Sequence, residues 1–277
     1  MTTPPDSAAR VPLEAMRDPP AVALTIAGSD SGGGAGLQAD LKVFQAFGVF
    51  GTSVVTAVTA QNTLGVSAIH VLSPEIIRAQ LRAVLDDLAP AAAKTGMLAD
   101  ASTVRAIAAE LDPELLLVVD PVMVATSGDR LLDASAEGVL RDELLPLAAL
   151  VMPNIPEAEA LTGLDIRNET DMRRAAELLV SSGAGAALVK GGHLEGDEVV
   201  DVLYANGEAA VWRGRRYDVG ALHGSGCTLS AAVTAGLALG RPLFEAVDAA
   251  VEFTRRAIRS AAPLGAGALP LDHRVRP

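Results

Sequence analysis

From residue 21 onward, short apolar runs of strand length alternate with longer stretches of helical spacing. That alternation, more than any other feature, limits the folds open to this chain. "AVALTIA" reads as a first strand and "AGLQADLKVFQAFG" as a helix ending at Gly48. "TSVVTAVTA" and "VSAIHVL" read as strands. "SPEIIRAQLRAVLDDL" has the spacing of an amphipathic helix, with Ser73 at the N-cap and Pro74 at the first helical position. "LLLVV", "ALVM" and "AALV" are continuous apolar runs, as strands covered on both faces must be. "DMRRAAELLVSSG" and "RPLFEAVDAAVEFTRRAIRS" read as helices, and "DEVVDVLYANGEAAVWRGRRYDV" as a hairpin turning at Asn206-Gly207. The expected fold is α/β, a doubly wound and mainly parallel sheet flanked by helices. It forms a single domain over residues 21–277, behind a disordered tail of residues 1–20 that carries Pro and charges but no apolar leader segment.

Four of the apolar runs stop at polar residues: Gly28-Ser29-Asp30, Asp120, Pro153-Asn154 and Lys190-Gly191-Gly192. Open parallel sheets bind ligands outside the carboxyl ends of their strands. The coincidence predicts one shared site, although strands also end at polar turns for no functional reason.

The net charge of -12 and the absence of a basic cluster argue against a nucleic-acid surface. No run reaches the roughly 18 apolar residues of a membrane span. One cysteine in 277 residues cannot make an internal disulfide, which fits a reducing cytoplasm. A phosphate ligand would then need local means of binding: backbone amides, a few cations or a metal ion.

Two glycine-rich turns offer such amides. "GSDSGGGAGLQAD" lies between a strand and a helix, where its N–H groups could approach an anion or a flat ring. Its Gly34-x-Gly36-x-x-Ala39 raises a dinucleotide-binding reading. The next strand, however, ends in Gln61 and Asn62 and not in the acidic residue that would hold a ribose. No G-x-x-x-x-G-K-[ST] occurs, so the phosphate grip is not a P-loop. "HGSGCTLSAA" places Gly224, Ser225, Gly226 and Cys227 directly before a helix. The dipole of that helix would stabilise charge on a phosphoryl group, and would lower the thiol's pKa enough for Cys227 to act as base or nucleophile. A Cys–His hydrolase using Cys227 and His223 is a rival reading. Two glycines between those residues argue against their sharing a helix face. Asp120 could hold magnesium, Lys190 a phosphate; Glu157, three residues after Asn154, could equally be an ordinary cap.

Together "LTIAGSDSGGGAGLQADLK", "TAVTAQNT", "AAAKTGML", "DPVMVATSGDRLL", "PNIPEAEALTG", "VKGGH" and "HGSGCTLSAA" resemble, in order, the hydroxymethylpyrimidine/phosphomethylpyrimidine kinases of thiamine biosynthesis. These are ribokinase-like enzymes, and the resemblance spans roughly residues 21–262. It implies ATP and Mg2+ as cofactors, a small-molecule substrate and a homodimer. It implies phosphorylation of 4-amino-5-hydroxymethyl-2-methylpyrimidine, then of its monophosphate. Pyridoxal kinases of the same superfamily are the alternative. By resemblance, Ala35, Asp40, Gln61, Met97 and Val122 line the pyrimidine pocket. Asp120 and Glu157 stand on the magnesium side, and Asn154 and Lys190 meet ATP phosphates. Gly224, Ser225 and Gly226 form the anion hole, with Cys227 where many ribokinase relatives carry a basic Asp. Ser225 replaces the usual Thr, Ala221-Leu222 replace Asn-Thr, and Thr126 stands where relatives often carry Lys.

Overall fold

The computed structural model describes residues 19–125 and 128–277. Most of the tail expected over residues 1–20, and Thr126, lie outside the described residues. In chain order the elements are β1 (Val22–Asp30), α1 (Gly36–Ala46), β2 (Phe50–Asn62), β3 (Gly65–Val71), α2 (Pro74–Leu88), β4 (Ala92–Thr95), α3 (Ala101–Ala108), β5 (Leu116–Val119), α4 (Ala134–Val139), β6 (Ala148–Val151), α5 (Ile155–Thr162), α6 (Glu169–Ser181), β7 (Ala186–Lys190), β8 (Glu198–Ala205), β9 (Glu208–Arg215), β10 (Leu222–His223), α7 (Ser225–Ala238), α8 (Leu243–Arg259) and β11 (Leu269–Pro270).

β1 to β9 form one sheet in the order β3-β2-β1-β4-β5-β6-β7-β8-β9. Neighbours from β2 to β7 are parallel, and β3, β8 and β9 add antiparallel edges. The expected hairpin is β8–β9, with left-handed Asn206 and Gly207 at its turn. β2 and β3 form a second hairpin at the opposite edge.

Side chains of the central strands alternate between two cores, as the strand period dictates. Leu24 and Ile26 pack with Ile77, Leu81 and Val104 of α2 and α3 on one face. Ala23 packs with Phe44, Ala232 and Ala246 of α1, α7 and α8 on the other. Every residue of α7 from Thr228 to Ala238 is buried. Its Thr228, Ser230 and Thr234 hydroxyls are bonded within the protein, so the helix can lie inside, and its small residues let it lie close to its neighbours. A Cβ on Gly236 would come within 2.9 Å of the Ala246 Cβ. α7 therefore sits clamped between the sheet and α8, with its N-terminus fixed at the carboxyl edge of the strands.

The expected strands are present, with one extension that matters. β1 continues through Gly28-Ser29-Asp30, which the sequence suggests as loop, because Ser29 and Asp30 still pair with Val58 and Thr59 beyond a bulge.

Candidate active site

The parallel strands all deliver their carboxyl ends to one edge, and α7 packs against β1, β4 and β5 there. The four polar strand ends do converge. Lys190, ending β7, donates from Nζ to Asp120 Oδ1 at 2.7 Å. Asp120 follows β5, and its Oδ2 accepts from Ser230 of α7 at 3.1 Å. A Cβ on Gly226 would lie 3.4 Å from Lys190 Nζ and 3.7 Å from Asp120 Oδ2. The anion turn thus faces the cation and the carboxylate directly. Asn154 follows β6 and bridges to Lys190.

Gly224 caps α7 with φ 85°, and the first helical bond runs from Thr228 N–H to Gly224 O. The amides of Ser225, Gly226 and Cys227 stand ahead of that ladder, where a helix start presents donors to a ligand. No side chain could replace the Gly224 hydrogen: a Cβ would come within 2.0 Å of Gly34 O. The two glycine turns touch at this point.

The first turn is not the anion cradle that its composition suggests. Asp30 Oδ1 accepts from the Gly32 amide at 2.8 Å; Oδ2 accepts from Gly34 at 3.0 Å and Ala35 at 2.8 Å. The loop's amides already hold a carboxylate of the chain itself. His223 meets the same Oδ2 at 2.8 Å. This commits the imidazole away from a Cys–His arrangement.

The expectation of an activated thiol is also reversed. Cys227 is half-buried, and burial pushes its thiol up to about 12; the Lys94 charge and a Gly36 N–H oppose that rise, while Asp40 and Asp120 add to it. Desolvation and two carboxylates outweigh the Lys94 charge and the Gly36 amide.

Asp40 lies fully buried beneath the glycine loop. Its Oδ2 accepts from Thr25 at 2.6 Å and from Lys94 at 2.8 Å, and its Oδ1 has no partner. Lys94, on β4, is also fully buried. Burial works against its charge, and Asp40, with Cys227 and Asp120, more than restores it, leaving the ammonium above its ordinary value. Sequence reading missed Lys94: a lysine inside "AAAKT" gives no sign that it will be buried. Met97 packs with Ala57 and Ala99, and its Sδ would lie 3.0 Å from a Cβ on Gly28. Val122 is half-buried two residues past Asp120. Gln61 borders a cavity of about 210 Å³ between the β2–β3 turn, His223 and Gly267-Ala268.

Asn154 and Glu157 form a reciprocal capping box, with Glu157 N–H on Asn154 Oδ1 at 3.0 Å and Asn154 N–H on Glu157 Oε2 at 2.8 Å. This leaves the Asn154 side-chain N–H2 for a ligand. Burial raises the Glu157 carboxyl to about 7, with Asp120 adding to the rise and Lys190 opposing it. Asp120 and Glu157 are oxygen donors in electrostatic contact. Two carboxylates suit magnesium shared with phosphate oxygens and water.

Two further anchors were not legible. Arg216 donates to the carbonyls of Gly192, Leu194 and Gly196, pinning the loop after Lys190, while Asp201 accepts from Gly191 N–H at 3.0 Å. The segment 267–273 laces the site from behind. Ala268 N–H bonds Thr63 O, Leu269 N–H bonds Ala221 O, and His273 Nε2 lies 2.8 Å from Thr228 Oγ1.

A mainly parallel sheet with a phosphate-ready helix start, a lysine and two carboxylates at its edge defines a small-molecule kinase of the ribokinase-like fold. The phosphomethylpyrimidine kinase family model matches residues 30–272. A hydroxymethylpyrimidine/phosphomethylpyrimidine kinase of Rhizobium meliloti is 51% identical over 257 residues, covering 91% of this chain and 97% of that one. The structure of phosphomethylpyrimidine kinase from Clostridium difficile matches with TM-score 0.77 and 45% identity, over 86% of this chain and 99% of that one. The ADP complex of Bacillus subtilis pyridoxal kinase matches with TM-score 0.85 and 38% identity, over 92% and 98%. The chain belongs to the phosphomethylpyrimidine kinase family.

Proposed function

We propose that this chain transfers a phosphoryl group from ATP to the hydroxymethyl group of 4-amino-5-hydroxymethyl-2-methylpyrimidine, and a second to the resulting monophosphate, in thiamine biosynthesis. The observation that carries this is the meeting of Lys190, Asp120 and Gly226 within 4 Å across three elements. Phosphoryl transfer passes through a loose transition state, so alignment and charge neutralisation dominate. The amides of Ser225, Gly226 and Cys227 face the moving group. Lys190 holds phosphate oxygens, and the Asn154 N–H2 adds a donor. Asp120 and Glu157 would hold Mg2+, which neutralises phosphate charge when bound. Deprotonation of the accepting hydroxyl comes late in such a step, so a neutral thiol at Cys227 is no obstacle; it lines the turn.

On the acceptor side, Gln61 reads the ring edge, Met97 and Val122 give apolar walls, and Ala35 closes the loop above. Asp40, fully buried with Thr25 and Lys94, supports that pocket from beneath the loop. The exposed Phe50, Val58, Ile69 and Val71 at the β2–β3 edge suit a second copy of the chain, in a cytoplasmic homodimer.

The test is ATP consumption against hydroxymethylpyrimidine, its monophosphate, pyridoxal and pyridoxine. Both pyrimidines are expected to turn over. Turnover of pyridoxal and of neither pyrimidine would overturn the assignment in favour of the activity named for the Bacillus neighbour.

A further inference from the structure

The carbonyl of Gly224 and the N–H of Ser225 belong to one planar trans peptide, so they point opposite ways. Whatever holds that carbonyl therefore aims the first amide of the anion turn. Thr228 holds it twice, with its backbone N–H at 2.9 Å and its side-chain Oγ1 at 2.9 Å. The same Oγ1 has a second neighbour, His273 Nε2 at 2.8 Å. A carbonyl only accepts, and a hydroxyl has one hydrogen. With that hydrogen on the Gly224 carbonyl, Oγ1 accepts from His273, whose own hydrogen then sits on Nε2. Burial holds the imidazole down at about 4, with the Lys42 charge adding to the fall and Asp272 opposing it. The ring is therefore neutral near pH 7 and has this one hydrogen to give. The result is a directed chain from His273 through Thr228 to Gly224. All three residues are buried, where each link of such a chain polarises the next.

We propose that His273 is a positioning residue for phosphoryl transfer, which fixes the Gly224 carbonyl through Thr228 and so aims the Ser225 N–H at the moving group. The proposal rests on the kinase reading of the same site. The imidazole is itself held in place. Asp272 N–H bonds the Ala257 carbonyl of α8 at 3.1 Å, and Leu271 is buried. Pro270 pairs with His223 across β10 and β11, so the same segment also grips the residue before Gly224. His223 is fixed in turn by Asp30. Gly224, with its φ of 85°, is thus held from both sides. A carbonyl that accepts two hydrogen bonds leaves its own peptide N–H a better donor. That N–H counts most when charge spreads over the phosphoryl oxygens, in the transition state and not in the bound substrates. Loss of His273 should therefore appear in kcat and not in KM.

The experiment compares the full-length wild type with His273→Leu, Thr228→Val and the double variant, measuring kcat and KM for hydroxymethylpyrimidine and for ATP. Each single variant is expected to lower kcat about tenfold, the scale of about one lost hydrogen bond, with both KM values within about twofold. The double variant should lose no more than the worse single one, because a chain already cut has nothing further to lose. His273→Gln, which carries an N–H near the reach of Nε2, should recover most of the loss. Unchanged kcat in His273→Leu, additive losses in the double variant, a loss carried by KM, or failure of His273→Gln to rescue would each overturn the proposal. Should His273→Leu not fold, Thr228→Val, which keeps the shape of the native side chain, and His273→Gln are held to the same numbers. A wild type inactive on both pyrimidines would overturn the kinase reading itself and this proposal with it, a result the variants cannot mimic.

Discussion

The molecule has two glycine-rich turns that each end a strand and begin a helix, and they have opposite fates. The turn before α1 is closed: three of its amides are spent on Asp30. The turn before α7 is open, and its leading amides face Lys190 and Asp120. Composition alone makes the two interchangeable. The difference lies in one carboxylate at the end of β1, which converts a potential anion site into a rigid wall. A glycine-rich turn is therefore a phosphate site only where the chain supplies cations and leaves its amides unspent.

The largest effect should come from filling the open turn. Gly226→Val would push a branched side chain toward Lys190 Nζ, 3.4 Å from the Cβ position. Oxyanion-hole losses run to about 2.7–4 kcal/mol, so kcat should fall by about a hundredfold or more with the fold intact by circular dichroism. A variant with near-normal turnover would show that the phosphoryl group does not pass there.

Opening the closed turn is the next test. Asp30→Ala frees the amides of Gly32, Gly34 and Ala35 and strips His223 of its partner. Of these, the Gly34 amide is buried, and an unsatisfied buried donor costs about 1–3 kcal/mol, visible as a lower midpoint in urea. Phosphate or sulfate should then protect the variant more than the wild type. Equal protection would mean that Asp30 does not block an anion.

Cys227 distinguishes a charged open turn from a neutral one. With its thiol pushed up to about 12, the protein should react with iodoacetamide at pH 8 more slowly than a free cysteine, by about tenfold or more. Rapid labelling at neutral pH would restore the activated thiol.

The smallest effect is electrostatic. Burial raises Glu157 from 4.5 to about 7 in the folded protein. A raised carboxyl binds its proton more tightly folded than unfolded, so its contribution is fully present below about pH 4.5 and is lost as pH rises through about 7. Glu157→Gln, which can keep the capping box, should stabilise the ligand-free protein at pH 8 by on the order of 1 kcal/mol, and the advantage should vanish toward pH 5. A gap independent of pH would show that Glu157 is ionised throughout.

How far the sequence foretold this depends on the kind of signal. β5, β6 and β7 were readable because buried parallel strands need unbroken apolar runs, and their polar ends marked the shared edge. β4 was not read as a strand: four residues with Lys94 among them look like a turn until Asp40 is seen to neutralise the charge. The motifs located Gly226, Asp120 and Lys190. The use Asp30 makes of the loop amides, and the three carbonyls held by Arg216, are hydrogen bonds between residues whose types would suit many other partners. The thiol was misjudged because the dipole is a property of the local sequence, whereas burial belongs to the whole fold.

The lacing of residues 267–273 across Thr63, Ala221 and Thr228 has a practical side. Strand β11 is also the brace behind the anion turn, though Thr63 lies some two hundred positions away in sequence. A partly folded chain can hold a nearly complete sheet and still lack a competent centre until that segment docks. A substitution within it is thus felt where phosphate would sit.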